Sequence, residues 1–292
     1  MKIINFGSIN IDHVYEVEHF VQPGETLNSE SYTVFGGGKG ANQSISLARA
    51  KAKVLHAGQV GEDGIWLKEK LQKSGVDTSL IKTVDTPTGH AVIQVNKDGE
   101  NAIIIHGGAN RTLSDDTIDE VLKSAQNQDF LLLQNETNAV ESILLKSKDK
   151  NLTVIFNPAP LTDAIKNYPL ELVDIFILNE IEAQTLTNEN STDAILHAMQ
   201  KLYPKSRIIL TLGKSGVIYA DNTRQIKVPA LKVKAIDTTG AGDTFIGYFL
   251  AELSRGSEIK KCLEMGVKAS ALCVTRKGAA DSIPKLEEIT AF

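Results

Sequence analysis

What most constrains this chain is a regular alternation, from Thr112 onward, of short apolar runs with stretches of helical periodicity. Helical spacing covers Asp115–Gln126, Val140–Ser147, Glu180–Thr187 and Ser191–Leu202. Strand-like runs cover Phe130–Gln134, Thr153–Asn157, Ile175–Leu178 and Arg207–Leu212. A hairpin, Gly216–Ala220 with Gln225–Pro229, follows, and the helical runs Asp243–Ser254 and Glu258–Cys273 close the pattern. Earlier, Lys2–Ile9 and Val54–Val60 read as strands, while Ala41–Arg49 and the stretch from Gly61 to Ser74 read as helices. Alternation of this kind predicts an α/β fold with a mainly parallel sheet covered on both faces.

Two segments depart from the alternation. Val14–Phe35 is an extended excursion around the turn Gln22-Pro23-Gly24-Glu25. Ala91–Asn96 and Asn101–His106 flank Lys97-Asp98-Gly99-Glu100, and Asp-Gly between alternating apolar residues signals a hairpin. Together they predict a small sheet apart from the main one, from segments of about 13–35 and 88–108 within a single domain spanning 1–292.

Composition narrows the class of function. The chain is 42% hydrophobic and 23% charged, as ordinary globular proteins are. A net charge of −5 offers no basic footprint for nucleic acid. No apolar run approaches the ~20 residues that span a bilayer, so no membrane partner is expected. Met1-Lys2-Ile3-Ile4-Asn5 lacks a signal-peptide pattern. Cys262 and Cys273 read as reduced structural residues, and the six histidines show no zinc spacing. The expectation is a cytoplasmic protein.

The chemistry gathers in Ala235-Ile236-Asp237-Thr238-Thr239-Gly240-Ala241-Gly242-Asp243-Thr244-Phe245. An apolar run with β-branched residues is expected to end there, and Asp243 to open a helix. Small residues before a helix leave backbone N–H groups unshielded, and the helix dipole adds partial positive charge, which suits a phosphate. Asp243 there is a poor binder of anions but a well-placed base. Alone, Gly-x-Gly-Asp favours the plainer reading of a loop entering a helix with an Asp cap. A second cluster, Gly36-Gly37-Gly38-Lys39-Gly40-Ala41-Asn42, precedes another helix. Polar residues also stand just past predicted strands: Asn10 with Asp12, Gln134-Asn135-Glu136, and Asn179 with Glu182. Strand ends of one parallel sheet share an edge, so these groups are expected to line one cleft with Asp243.

The two glycine clusters resemble the signatures of the ribokinase-like carbohydrate kinase family. So do Gly89-His90-Ala91, Gly107-Gly108-Ala109-Asn110, Asn157-Pro158-Ala159-Pro160, Asn179-Glu180-Ile181-Glu182-Ala183 and Val274-Thr275-Arg276-Lys277-Gly278-Ala279. The resemblance runs essentially end to end and implies a three-layer α/β/α fold with a small β-lid that clasps a homodimer. It implies ATP-dependent phosphorylation of D-ribose at its 5-hydroxyl, with fructose, deoxyribose or a nucleoside as alternative acceptors and a silent sugar-binding protein as the non-enzymatic one. Asp243 would be the base, and the N–H groups of Gly240, Ala241 and Gly242 the anion hole. Asn10, Asp12, Gly38, Lys39, Gly40, Asn42 and Glu136 would hold the sugar. Asn179 and Glu182 would serve Mg²⁺ and the nucleotide phosphates, and Thr211, Gly213 and Gly216, with Gly242, the nucleotide. K⁺ would sit on the Asp237 carboxylate, Ser282 and the carbonyls of Thr239, Cys273, Arg276 and Gly278. Read from the residues alone, Asp237 also serves as a turn cap and Lys39 as a screen for phosphate charge. The chain departs from the family pattern at Val267-Lys268, where an Asn or His facing adenine is common.

Overall fold

A computed structural model describes residues 1–292. Its strands are β1 (Ile3–Phe6), β2 (Asn10–Glu16), β3 (Ser31–Gly37), β4 (Val54–Val60), β5 (Asp77–Thr83), β6 (Gly89–Val95) and β7 (Asn101–His106). There follow β8 (Phe130–Gln134), β9 (Thr153–Asn157), β10 (Ile175–Asn179), β11 (Arg207–Thr211), β12 (Val217–Ala220) and β13 (Gln225–Val228). The helices are α1 (Lys39–Arg49), α2 (Ile65–Lys73), α3 (Asp115–Lys123), α4 (Val140–Ser147) and α5 (Glu180–Thr187). The last four are α6 (Thr192–Leu202), α7 (Ala241–Ser254), α8 (Ile259–Cys273) and α9 (Leu286–Ala291).

The main sheet has nine strands in the order β13-β12-β11-β10-β9-β8-β1-β4-β5. All pairings from β11 to β5 are parallel; β12 and β13 add an antiparallel edge. Side chains alternate across a strand, and β8 shows what that does here. Phe130 and Leu132 enter one core with residues of α1, α2, α7 and α8. Leu131 and Leu133 enter the other, with residues of α3, α4 and α6. Each fully buried aliphatic or aromatic side chain stabilises by about 1.5–3 kcal/mol. The three layers are thus one continuous apolar sheet with a helical coat on each face.

Chain direction across the sheet reverses at β1. From β1 the chain passes to β4 and β5 on one side, and from its other neighbour β8 to β9 on the other. Open α/β sheets place ligands at such a switch point, outside the carboxyl ends of the strands. The four-stranded sheet, in the order β3-β2-β6-β7, springs from that edge.

Several elements differ from expectation. β1 stops at Phe6, so Asn10 and Asp12 are not loop residues but the start of β2 in the small sheet. Paired with Gly37 and Phe35, they are held by a ladder rather than by a turn. The segment before Asp237 forms no strand; Ile236 is 60% exposed and only its N–H ties back, to the Val274 carbonyl at 2.7 Å. β5 and α9 have weak patterns because each covers an edge of the core with mixed polar residues.

Candidate active site

α7 is buried along most of its length, and its first turn carries the chemistry. Gly240 caps it with φ 75°, a left-handed conformation that glycine adopts without cost, and has no side chain to satisfy the helix end. Asp243 is not the helix opener but its third residue, and it is 8% exposed. Its Oδ1 accepts from Gln43 Nε2 at 2.9 Å and its Oδ2 from Asn42 Nδ2 at 3.1 Å. Burial pushes its carboxyl above the usual range, against the pull of Lys39 and the two amide donors. Of the expected anion hole, the N–H groups of Gly240 and Gly242 have no protein partner. That of Ala241 instead closes a turn onto the Thr238 carbonyl at 3.2 Å.

A cavity of about 240 Å³ opens on this helix start, lined by Lys39, Asn157, Asn179, Glu182, Thr211, Gly240, Gly242 and Asp243. A larger one, about 510 Å³, lies around Tyr168 and Tyr203 and contains none of the expected site residues. Lys39 begins α1. Burial disfavours its charge, but Asp243, Glu136 and Glu182 outweigh that and hold its pKa above the ordinary value. Asn179 and Glu182 form a capping box at the start of α5: Asn179 Oδ1 accepts from the Glu182 N–H at 2.9 Å, and Glu182 Oε2 from the Asn179 N–H at 3.0 Å. Asn179 Nδ2 also donates to Glu182 Oε1 at 2.9 Å. Asn179 therefore orients Glu182, whose carboxyl is raised by burial and whose oxygens keep lone pairs free.

The sugar-side residues gather across the switch point. Glu136, just past β8, accepts from the Ser8 hydroxyl and, at 3.0 Å, from the Lys39 N–H. Asn10 Oδ1 accepts from Asn110 Nδ2 at 2.7 Å, and Asn110 also pairs with the Ile9 backbone. The Asp12 carboxylate accepts no hydrogen bond. Burial and then the Glu136 carboxylate push it up to about 7, with Lys70 opposing. An unpaired, half-buried carboxylate facing a second one is a site awaiting donors. Gly38 is half-buried at the cap of α1, while Gly40 is buried, its N–H facing Ser8 Oγ at 3.3 Å and its carbonyl bonded to Asn5 Nδ2 at 2.8 Å. Asn42, expected on the sugar, is set against Asp243, and its Oδ1 is buried with no partner.

Elsewhere the placement is mixed. Thr211 lines the cavity, but Gly213, just beyond it on the chain, is exposed and does not, and Gly216 is a hairpin glycine (φ 101°). A Cβ on Gly216 would sit 2.1 Å from the Val228 carbonyl oxygen. Asp237 accepts from the N–H groups of Thr239 at 2.9 Å and Gly278 at 2.8 Å, tying two loops beside the start of α7. Ser282 Oγ lies 3.1 Å from Cys273 Sγ and donates to the Ala279 carbonyl. The Cys273 carbonyl accepts from the Arg276 N–H at 3.1 Å. This all-oxygen donor set of one carboxylate, a hydroxyl and carbonyls suits a hard monovalent cation. Val267 is core, and Lys268 Nζ donates to the Ile289 carbonyl at 3.2 Å, so that departure packs α8 onto α9. Ser8, Gln43 and Asn110 were missed by sequence reasoning. Asn110 stands in the Gly107-Gly108-Ala109-Asn110 motif, but Ser8 and Gln43 carry no signal until the fold brings partners to them.

Comparison with known proteins bears on the family and the fold. The sequence pattern described as "pfkB family carbohydrate kinase" matches residues 1–286. A ribokinase of Staphylococcus aureus is 39% identical over 300 residues, 99% of this chain and 98% of that protein. A ribokinase of Haemophilus influenzae is 38% identical, covering 98% of this chain and 96% of its own. The structure of Arabidopsis thaliana ribokinase complexed with ribose and ATP superposes with a TM-score of 0.90 at 30% identity, covering 99% of this chain and 97% of that one. No helix is long and apolar enough to cross a membrane. The three-layer fold, the buried Asp243 behind unpaired N–H groups and the end-to-end match leave one conclusion: the chain belongs to the pfkB family of carbohydrate kinases.

Proposed function

We propose that this chain transfers the γ-phosphoryl group of ATP to the 5-hydroxyl of D-ribose. The observation that carries the reading is Asp243: a buried carboxylate at the mouth of a cavity, beside N–H groups of Gly240 and Gly242 that the protein leaves unpaired. The carboxylate takes the proton of the primary hydroxyl as that oxygen attacks the γ-phosphorus and the bond to the β–γ bridging oxygen of ATP breaks. The free N–H groups and Lys39 stabilise the charge spread over the transferring group. Asn10, Asp12 and Glu136 orient the sugar through its hydroxyls, and the unpaired Asp12 is what favours a polyhydroxylated acceptor. Thr211, on the cavity wall, and Gly213 just beyond it would serve the nucleotide. Mg²⁺ supplies charge neutralisation at the phosphates, and Glu182, oriented by Asn179, would hold it through water. Asp237, Ser282 and the carbonyls of Thr239, Cys273, Arg276 and Gly278 would hold K⁺.

The whole chain serves as one kinase unit in this reading, with the small sheet as its lid. On that sheet Tyr32 and Ile104 stand on one face, 51% and 69% exposed, and Ile103 and Ile105 on the other, 50% and 53% exposed, apolar surface that a second copy's lid would cover. Light scattering of a dimer at micromolar concentration is the expected result. The free Cys262 and Cys273 and the use of ATP suit the cytoplasm. A coupled ADP-release assay over pentoses, hexoses and nucleosides tests the central claim: D-ribose should be the preferred acceptor, and ADP release independent of any sugar would refute it.

A further inference from the structure

The Asp243 carboxylate stands at the end of a chain of buried side chains that the phosphoryl transfer does not itself use. At the far end, Asn5 Nδ2 donates to the Gly40 carbonyl and to Ser44 Oγ, each at 2.8 Å. A carbonyl only accepts, so the orientation of the Asn5 amide is set and its Oδ1 faces Gln134. Gln134 Nε2 donates to that oxygen at 2.8 Å and to Gln43 Oε1 at 2.7 Å. Gln43 Nε2 is thereby turned toward Asp243 Oδ1 at 2.9 Å and Asn157 Oδ1 at 3.3 Å. Ser44 Oγ, having accepted from Asn5, donates to His56 Nδ1 at 2.8 Å, which leaves His56 Nε2 to donate to the Gly7 carbonyl at 3.1 Å. Burial pulls His56 down to about 4, so the ring is neutral and can play both parts. Asn5, Gln43, Ser44 and His56 are wholly buried and Gln134 is 1% exposed. Reversing the Gln43 amide would set its oxygen against Asp243 Oδ1 and its nitrogen against Gln134 Nε2. Reversing Gln134, whose own Oε1 is buried without a partner, would set oxygen against the oxygens of Asn5 and Gln43.

We propose that Gln43 is a positioning residue for the Asp243 carboxylate, and that Gln134, Asn5, Ser44 and His56 fix the direction of its amide so that a donor always faces the base. This rests on the reading of Asp243 as the proton acceptor. With Gln43 on Oδ1 and Asn42 on Oδ2, the carboxylate is held by both oxygens, which restrains its rotation, and its ionised form is favoured against burial. The charged groups that face it are Lys39, which supports ionisation, and Glu182, whose carboxyl and that of Asp243 oppose each other's ionisation. Gln43 does not line the cavity, so its effect should reach turnover rather than binding.

The test compares Gln43→Met and Gln134→Met with the parent enzyme. Three quantities are read: the thermal midpoint, kcat and KM for D-ribose and ATP across pH, and titration of the Asp243 carboxyl carbon by NMR. The last uses ¹³C-labelled aspartate, with the resonance identified by its loss in Asp243→Asn. Gln43→Met should lower kcat about 10- to 100-fold, the scale of a misplaced reacting group, with both KM values nearly unchanged. The acid limb of kcat and the Asp243 titration should both move to higher pH. Gln134→Met, which touches neither the cavity nor Asp243, should move both less and in the same direction; it carries the test should Gln43→Met not fold. Unmoved titrations in folded variants, matched losses in kcat and affinity, or loss of the fold in both variants would overturn the proposal. Since the titration is read without turnover, a shifted titration in a protein that does not phosphorylate D-ribose would leave the relay standing and unseat only the substrate. Normal sugar turnover with an unshifted titration would sink the relay alone.

Discussion

The two glycine-rich helix starts of this molecule look alike and do opposite work. Both α1 and α7 are capped by a glycine with positive φ, 91° at Gly38 and 75° at Gly240, and neither cap has a side chain to bond the first turn. At α1 the protein fills the vacancy itself. The N–H groups of Lys39, Gly40, Ala41 and Asn42 go to Glu136, Ser8 Oγ, the Ser8 carbonyl and the Gly38 carbonyl. A Cβ on Gly40 would lie 2.4 Å from the Gly7 Cα, so glycine is there to let α1 sit on the end of β1. At α7 a Cβ on Gly242 would meet nothing within 4 Å, and its N–H stays unpaired. One helix end is closed and builds the cleft; the other is open and faces what the cleft receives. A glycine motif therefore marks a ligand site only where the freed backbone groups find no partner inside the protein.

The largest expected effect tests the open end. Asp243→Asn should keep the fold and ATP binding and lower kcat by roughly 10²–10⁴, the worth of a positioned base. A kcat within a few-fold of the parent would remove Asp243 from that role.

A paired substitution then separates the two ends. Gly242→Ala should leave the unfolding midpoint almost unchanged while lowering kcat/KM for ATP about 10- to 100-fold, because its methyl enters the cleft. Gly40→Ala should do the reverse at first order, costing about 1–3 kcal/mol of stability by overpacking against β1. Equal stability losses in urea unfolding for both would erase the contrast.

Next comes the brace on the open end. Asp237 joins the segment before α7 to the loop at Gly278, and a cation held there would fix the N–H groups of Gly240 and Gly242. Exchange of K⁺ for a bulky organic cation should reduce turnover severalfold, with recovery on adding K⁺ back. Indifference to K⁺ in exchanged buffer would remove the brace.

The smallest effect sharpens the closed side. Asp12 is pushed up to about 7, so between its ordinary value and that pH the folded, empty protein binds more protons than the unfolded chain. Ionisation of Asp12 thus subtracts stability as pH rises through that window. Sugar hydroxyls donating to the ionised form would offset that loss. KM for D-ribose should therefore rise a few-fold as pH falls below about 7, and Asp12→Asn should flatten the profile. A wild-type profile already flat from pH 6 to 8 would mean that Asp12 does not meet the sugar.

Much of the molecule was determined by local pattern. Strands such as Phe130–Gln134 and Thr153–Asn157, and helices such as Val140–Ser147, have the expected bounds because their periodicity and flanking residues agree with their burial. The hairpin at Asp98-Gly99 is likewise local chemistry, and the glycine signatures with Asp243, Asn179 and Glu182 named the family and the cleft. Other features were decided only by the tertiary structure. Whether a glycine-capped helix end is open or closed depends on Ser8 and Glu136, which stand far from Lys39 along the chain. The direction of the Gln43 amide depends on Gln134 and Asn5, and Asn110 meets Asn10 only across the switch point. Asn10 and Asp12 read as loop residues because a strand that leaves one sheet and at once enters another has no distinct local pattern. Hydrophobic period reports which face of an element is buried; which polar atom meets which is settled only when separate segments are packed, since a buried donor must then find its acceptor or leave its cost unpaid.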